Sequence, residues 1–366
     1  MSGKDLKTQA TSENGSNLSA DQRLIVMGAS TGGFEAFKKI ITALPPDFEP
    51  PIFIVWHMSP DIRGILPEVL NDLNRIYAAH GYDDEEIRQN RIYVAPPDYH
   101  MLIRNGRISI THGPKENRFR PSVDPLFRSA AYTYGKRVVG VILSGSLDDG
   151  TVGLWTVKHY GGTAIVQNPI DAEVSSMPES AIHEVNVDHC VGLSELPALL
   201  VHLSKEPISQ TPGIMKDQKT KKEIEIAAEE NALGKGYLEM GELTPLTCPE
   251  CHGVLSKLQN DNIIRYRCHT GHAYSSETLM AALTERIEDA LYNAIRGIDE
   301  SIMLLNHLGD HFAESNQPKL AALYFKKAKE AANRKQLVHQ AALSHEQLNN
   351  DALLEQVERE STVTGK

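Results

Sequence analysis

The chain has 366 residues, enough for two or more domains that each bury a core. A formal net charge of -11, with 41% hydrophobic and 23% charged residues, argues against broad nucleic-acid binding. No apolar run approaches the roughly 20 residues that span a bilayer, and the polar, Ser/Asn-rich start has no apolar signal segment. Membrane insertion and secretion are therefore not expected, and a cytoplasmic location follows by default. Residues 1–21 read as a disordered tail. Residues 22–204 alternate β-rich runs with amphipathic stretches. The predicted strands are 24–27, 52–56, 92–95, 108–111, 138–143 and 163–167; the predicted helices are 34–44, 65–79, 124–134 and 153–160. Continuous apolar strands such as Val138–Leu143 imply burial on both faces. The expected fold is therefore α/β, a doubly wound, mostly parallel sheet with helices on both faces. Residues 205–240, rich in breakers and in charges of both signs, read as a solvated linker with one short helix.

A cysteine-containing module follows over 241–275. Cys248 and Cys251 form one half-site and Cys268 with His272 a second, separated from the first by sixteen residues. That spacing suits a zinc-ribbon-like fold with a closed, structural tetrahedral site, His269 being the alternative fourth ligand. Cys251-His252 also completes the C-x-x-C-H haem signature, which a chain with no export signal does not favour. Cys190, standing apart, reads as a buried structural thiol. Residues 276–349 carry two long helical patterns and read as an antiparallel hairpin for docking, for dimerisation or for capping the module. The first pattern has Leu283, Ile287, Leu291, Ile295, Ile298, Ile302 and Leu305 on one stripe and is expected to end at 307–310. Residues 350–366 read as a tail.

The segment with most chemical content is Gly28-Ala29-Ser30-Thr31-Gly32-Gly33, a glycine-rich turn between a buried strand and a helix. Such a nucleophile elbow lifts a hydroxyl clear of the sheet beside backbone amides, Thr31's among them, that can hold an oxyanion. Ser30 would need a base, and His57 follows the strand 52–56; His80, His100, His112 and His159 are rivals, of which only His100 also follows an apolar strand closely. An acid to orient the imidazole stands after the strand 138–143, where Asp148 and Asp149 are adjacent and the residues alone do not choose between them. The bland readings are an N-cap serine and a phosphate-binding turn, the latter without the Gly-x-Gly-x-x-Gly spacing or a Walker lysine.

Six ordered blocks resemble the catalytic domain of the chemotaxis protein-glutamate methylesterases, the CheB family. They are Gly28 to Gly33, Trp56-His57-Met58, Val94 to His100, Arg120-Pro121-Ser122-Val123-Asp124, Leu143-Ser144-Gly145 through Asp149-Gly150, and Val166-Gln167-Asn168 followed by Met177-Pro178. The resemblance spans about 23–203. It implies Ser30 as nucleophile, His57 as base and Asp149 as orienting acid, with oxyanion donors at the backbone of Thr31 and Ser146. It also implies hydrolysis of glutamate γ-methyl esters on the cytoplasmic domain of methyl-accepting chemoreceptors, with glutamine deamidation as a related activity, and no catalytic cofactor. Further partners through the C-terminal helices would be other chemosensory proteins. The alternatives are an esterase with another substrate and a non-catalytic adaptor. Three departures stand out: no room before Leu24 for the receiver domain that family members often carry, Ser146-Leu147 where the family has Met-Gly, and Ser176 where it has glycine before Met-Pro.

Overall fold

The computed structural model describes residues 21–57, 64–104, 106–208, 215–228 and 240–346, with Gly234, Gly236, Leu348, Leu353 and Gln356. The tails expected over 1–21 and 350–366, the breaker cluster at 209–213 and Met58 lie almost wholly outside these residues. The chain divides into two compact units, one ending at Ser276 and one starting at Glu277.

In chain order the first unit runs β1 (Leu24–Ala29), α1 (Gly33–Ala43), β2 (Ile52–Trp56), α2 (Leu66–Asp72), β3 (Tyr77–His80), β4 (Glu85–Glu86), β5 (Arg91–Val94), β6 (His100–Arg104) and β7 (Arg107–Thr111). It continues with α3 (Val123–Tyr134), β8 (Val138–Ile142), α4 (Thr151–His159), β9 (Thr163–Gln167), α5 (Ser176–Glu184), β10 (His189–Val191), α6 (Leu196–Lys205) and α7 (Gln218–Ala228). Last come β11 (Glu242–Thr247), β12 (Val254–Asn260), β13 (Ile263–Cys268) and β14 (Ala273–Ser275).

Seven strands form one sheet in the order β10-β9-β8-β1-β2-β5-β3, with every pairing parallel. Side chains alternate across β1. Leu24 and Val26 join a core with Phe53, Phe127, Leu154 and Met177, whereas Ile25 and Met27 face Phe37, Ile40, Leu196 and Leu200. Helices α3, α4 and α5 thus cover one face and α1, α2 and α6 the other, which is the doubly wound arrangement expected. The order in which strands are added reverses between β8 and β1, and such a switch point is where open α/β sheets place a site.

Some elements differ from the sequence expectation. The helix expected over 65–79 ends at Asp72, and Tyr77–His80 pairs with β5 as an edge strand. Residues 107–111 join no parallel sheet; they form an antiparallel layer with β4 and β6. Cys190 is exposed, because it lies on the edge strand β10. Helix α7 is no solvated linker: Thr220, Glu223, Ile224, Ile226 and Ala227 are buried, and the Thr111 hydroxyl donates to Ala227 O at 3.0 Å. Its charges read as a wet surface in sequence, yet Glu223 is buried in an ion pair with Arg265 of β13 at 2.8 Å. Beside that pair, Glu116 accepts from Arg128 at 2.7 Å and from Arg267 at 3.0 Å, all three fully buried. Burial alone would raise the Glu116 pKa; the two guanidinium charges outweigh it and hold the carboxylate well below its usual range.

The second unit contains α8 (a helix over Ser276–Glu314) and α9 (Pro318–Leu343). They run antiparallel: Phe312 stacks on Tyr324 at 5.2 Å, Lys335 pairs with Asp299 at 2.8 Å, and His345 Nε2 donates to Thr284 O at 2.8 Å. The first helix does not stop at 307–310. Gly309 is a packing position instead of a cap, since a Cβ there would lie 2.6 Å from the Phe325 ring. Among the described residues no helix is long and apolar enough to cross a membrane.

Candidate active site and cysteine cluster

Ser30, His57 and Asp149 follow β1, β2 and β8 at one edge of the sheet. The register that pairs Ala29 with Trp56 puts Ser30 and His57 next to each other beyond the ladder, and His57 N donates to Ala29 O at 3.1 Å. The turn after β1 is fixed on every side. Gly32 adopts φ 79° with the Ser144 hydroxyl and Glu173 packed where a Cβ would go. Gly145 passes so close to Ser30 that a Cβ would lie 2.8 Å from Ser30 Cβ. Ser30 O accepts from Gly33 N and from Trp56 Nε1, each at 3.0 Å, and Ser144 Oγ donates to Thr31 O at 2.7 Å.

These bonds aim two backbone donors. The Thr31 N–H lies on the same trans peptide plane as Ser30 O and so points away from Trp56. Gly145 O accepts from Met177 N at 2.9 Å, which turns the Ser146 N–H the opposite way. Among the described residues neither N–H has a hydrogen-bond partner within the protein. Leu147, where the family has glycine, sits at φ 63°. That left-handed backbone costs a branched residue about 1–2 kcal/mol, offset in part because its side chain is largely buried. The turn keeps the glycine-like conformation without the glycine.

His57 Nε2 donates to Asp149 Oδ2 at 2.7 Å, and both groups are buried. Phe119 stacks on the imidazole at 3.8 Å between centroids with planes 9° apart, which fixes the ring's tilt. The other ring nitrogen, Nδ1, is buried with no hydrogen-bond partner. No hydrogen bond joins it to the Ser30 hydroxyl among the described residues. The free nitrogen of a base whose partner atom is already anchored is what a serine proton needs. Asp148 is turned elsewhere and accepts from Ser275 Oγ at 2.7 Å. The rival histidines do structural work. His100 is fully buried, donates to Pro114 O at 2.9 Å and accepts from Ser122 N at 3.3 Å; burial lowers its pKa and keeps it neutral. His80 caps Gly64 O and Val94 O, His112 pairs with Asp98, and His159 stacks on Trp155.

Sequence reasoning gave no roles to the residues that support Asp149. Its carboxylate also accepts from Asn117 Nδ2 and Ser122 Oγ, both at 2.8 Å, and from Val123 N at 2.6 Å. Burial pushes its pKa up, but the bond and charge of His57 and these donors prevail and hold it below the ordinary aspartate value. Asp124 shares Asn117 Nδ2 at 2.8 Å and takes Gly153 N at 2.6 Å. Burial and then the Asp149 charge raise its pKa to about 7. The pair therefore keeps its negative charge on the carboxylate beside the imidazole. Because the folded state holds the Asp124 proton longer than the unfolded chain, stability falls as pH rises between about 4 and 7. Asp124→Asn, which mimics the neutral acid, should flatten that decline in a plot of Tm against pH; an unchanged slope would count against the assignment.

The cysteine module is a four-stranded antiparallel sheet, β11-β12-β13-β14. Two tight turns present the ligand atoms: His252 N donates to Cys248 O at 2.9 Å, and Gly271 N to Cys268 O at 3.0 Å. Cys248, Cys251, Cys268 and His272 place their ligand atoms within 4.8 Å of one another. The Cys251–Cys268 Sγ separation is 3.6 Å, and His272 Nδ1 lies 3.7 and 3.5 Å from the Cys248 and Cys268 sulfurs. Tetrahedral zinc with ordinary bond lengths needs edges of about 3.6–3.8 Å, so the donor set fits that ion. His269 instead packs over Gly253.

A turn serine, a neighbouring imidazole and a buried carboxylate behind it lie together at the carboxyl edge of a parallel α/β sheet, the parts from which serine hydrolases are built. The family model for CheB methylesterase matches residues 25–200. A Leptospira interrogans protein named putative protein-glutamate methylesterase/protein-glutamine glutaminase is 39% identical over 187 residues, 51% of this chain and 97% of that one. The chain belongs to the CheB methylesterase family. Protein-glutamate methylesterase/protein-glutamine glutaminase 1 of Burkholderia pseudomallei is 40% identical over 183 residues, 49% of this chain and 50% of that one. Against that protein the match thus spans only half the length. The Thermotoga maritima CheB methylesterase catalytic domain is 34% identical, with a TM-score of 0.48 over 50% of this chain and 98% of that one.

Proposed function

We propose that this protein hydrolyses glutamate γ-methyl esters on the cytoplasmic domains of methyl-accepting chemoreceptors, with Ser30, His57 and Asp149 as the triad. The observation that carries the reading is the buried 2.7 Å bond from His57 Nε2 to Asp149, which leaves Nδ1 as the base nitrogen beside the Ser30 turn. Ser30 Oγ attacks the ester carbonyl carbon while its proton passes to Nδ1. The oxyanion is held by the N–H groups of Thr31 and Ser146. As the tetrahedral adduct collapses, His57 returns the proton to the departing oxygen and methanol leaves. Water then attacks the glutamyl–serine ester, giving up its proton to His57. Collapse frees the glutamate carboxylate and restores the Ser30 hydroxyl. A glutamine side chain would follow the same path with ammonia leaving, in keeping with the double name of the relatives.

The test is methanol release from a methylated receptor cytoplasmic fragment beside small methyl esters. Turnover on the fragment is expected; hydrolysis of small esters alone would refute the receptor substrate. An adaptor role predicts release from neither.

We infer that Cys248, Cys251, Cys268 and His272 hold a structural zinc ion, a closed set with no position left for chemistry. Metal analysis should give about one equivalent per chain, lost in Cys248→Ser and in Cys268→Ser. A folded protein without metal would contradict the site.

A further inference from the structure

Asn117 belongs to no motif, yet it lies between Asp149 and the cysteine module. Its Nδ2 donates to Asp149 Oδ1 and to Asp124 Oδ2, each at 2.8 Å. A side-chain amide serves two carboxylates in one orientation only, with its oxygen on the opposite side. There Oδ1 accepts from Ser275 N at 3.0 Å. Ser275 stands three residues after His272. Between them Ala273 accepts from Asn117 N at 2.8 Å and donates to Lys115 O at 3.2 Å, so β14 and residues 115–117 form a short parallel ladder. On the other flank of the cluster Arg267, next to Cys268, pairs with Glu116 at 3.0 Å. The same loop carries Phe119, the ring stacked on His57. Asn117 sits at φ 51°, in the left-handed region that asparagine adopts more readily than other non-glycine residues. Strand β14 has three buried residues paired with β13, and the turn joining the two strands is the one that carries Cys268 and His272, closed by Cys268 N donating to His272 O at 2.9 Å.

We propose that the cysteine module is a working part of the esterase centre: metal on Cys248, Cys251, Cys268 and His272 fixes β14, β14 orients Asn117, and Asn117 positions Asp149 behind His57. The proposal rests on the triad reading above. Asn117 touches no substrate and acts as a positioning residue. A displacement of about 1 Å in such a group costs on the order of 10²-fold in rate.

The experiment uses the full chain, zinc-loaded and chelator-stripped, as wild type and as Asn117→Ala. Stripping should lower wild-type kcat on the order of 10²-fold, with KM changed less than about three-fold, and added zinc should restore it. Asn117→Ala should keep its zinc, lose a similar factor when loaded, and lose less than about two-fold more when stripped, because both changes act through one path. Hydrogen exchange should speed up at the Asn117 and Val123 amides on stripping while β1 keeps its protection. A stripped protein with unchanged kcat, losses that multiply, or exchange rising evenly through the sheet would each overturn the coupling. Failure of the triad reading is separate: zinc-loaded wild type and Ser30→Ala would then turn over equally, whereas the exchange pattern does not depend on Ser30.

Discussion

Replacing Ser30 with alanine should lower methanol release by roughly 10⁴-fold or more, because triad members act as a unit and one loss removes the whole path. The fold should survive. Ser30 is only partly buried, and the bonds that hold its turn run through its backbone: Ser30 N to Ser144 O and Ser30 O to Gly33 N, both 3.0 Å. Alanine keeps both. An unaltered thermal transition together with lost turnover is therefore the expected pair of results, measured by calorimetry and by the methanol assay. Near-normal turnover in the variant would show that water is activated by some other group.

Asp149→Asn should cost about 10⁴-fold in kcat with a smaller change in KM. The carboxylate accepts from Nε2 at 2.7 Å, so in the neutral tautomer that donates to it the lone pair lies on Nδ1. An amide can satisfy His57 with its NH2 group as donor, and the proton then moves to Nδ1, the nitrogen that must receive the serine proton. In that orientation the NH2 also replaces the oxygen that accepts from Val123 N, whereas Asn117 and Ser122 keep their acceptor. A loss in stability is thus expected beside the loss in rate, which urea unfolding would measure. Asp148→Asn should leave kcat near the wild-type value, since Asp148 bonds Ser275 and does not reach the imidazole.

How much of this was legible in the sequence varies with how local the cause is. The strand, turn and helix around Ser30 are written in adjacent residues: a continuous apolar run, then glycines where a Cβ has no room. The two cysteine half-sites are just as local, each a tight turn. Asn117 was not legible, because its role comes from Asp124, Asp149 and Ser275, up to 158 residues away. The choice of Asp149 over Asp148 came from family resemblance, and the bond to His57 spans 92 residues that no spacing rule covers. Helix α7 was misread for a related reason: a surface of mixed charge becomes buried only once Arg265 and Arg267 of the ribbon arrive to neutralise Glu223. The strand Tyr77–His80 was read as helix because its residues continue an amphipathic pattern, and only pairing with β5 decides between the two.

The decisive measurement is the methanol-release rate of Ser30→Ala, His57→Ala and the double variant under one set of conditions. If a hydroxyl and an imidazole from neighbouring strands perform a single proton transfer, the double variant will be no slower than the worse single one. Losses that multiply would mean the two side chains contribute separately, and the mechanism drawn here would not stand.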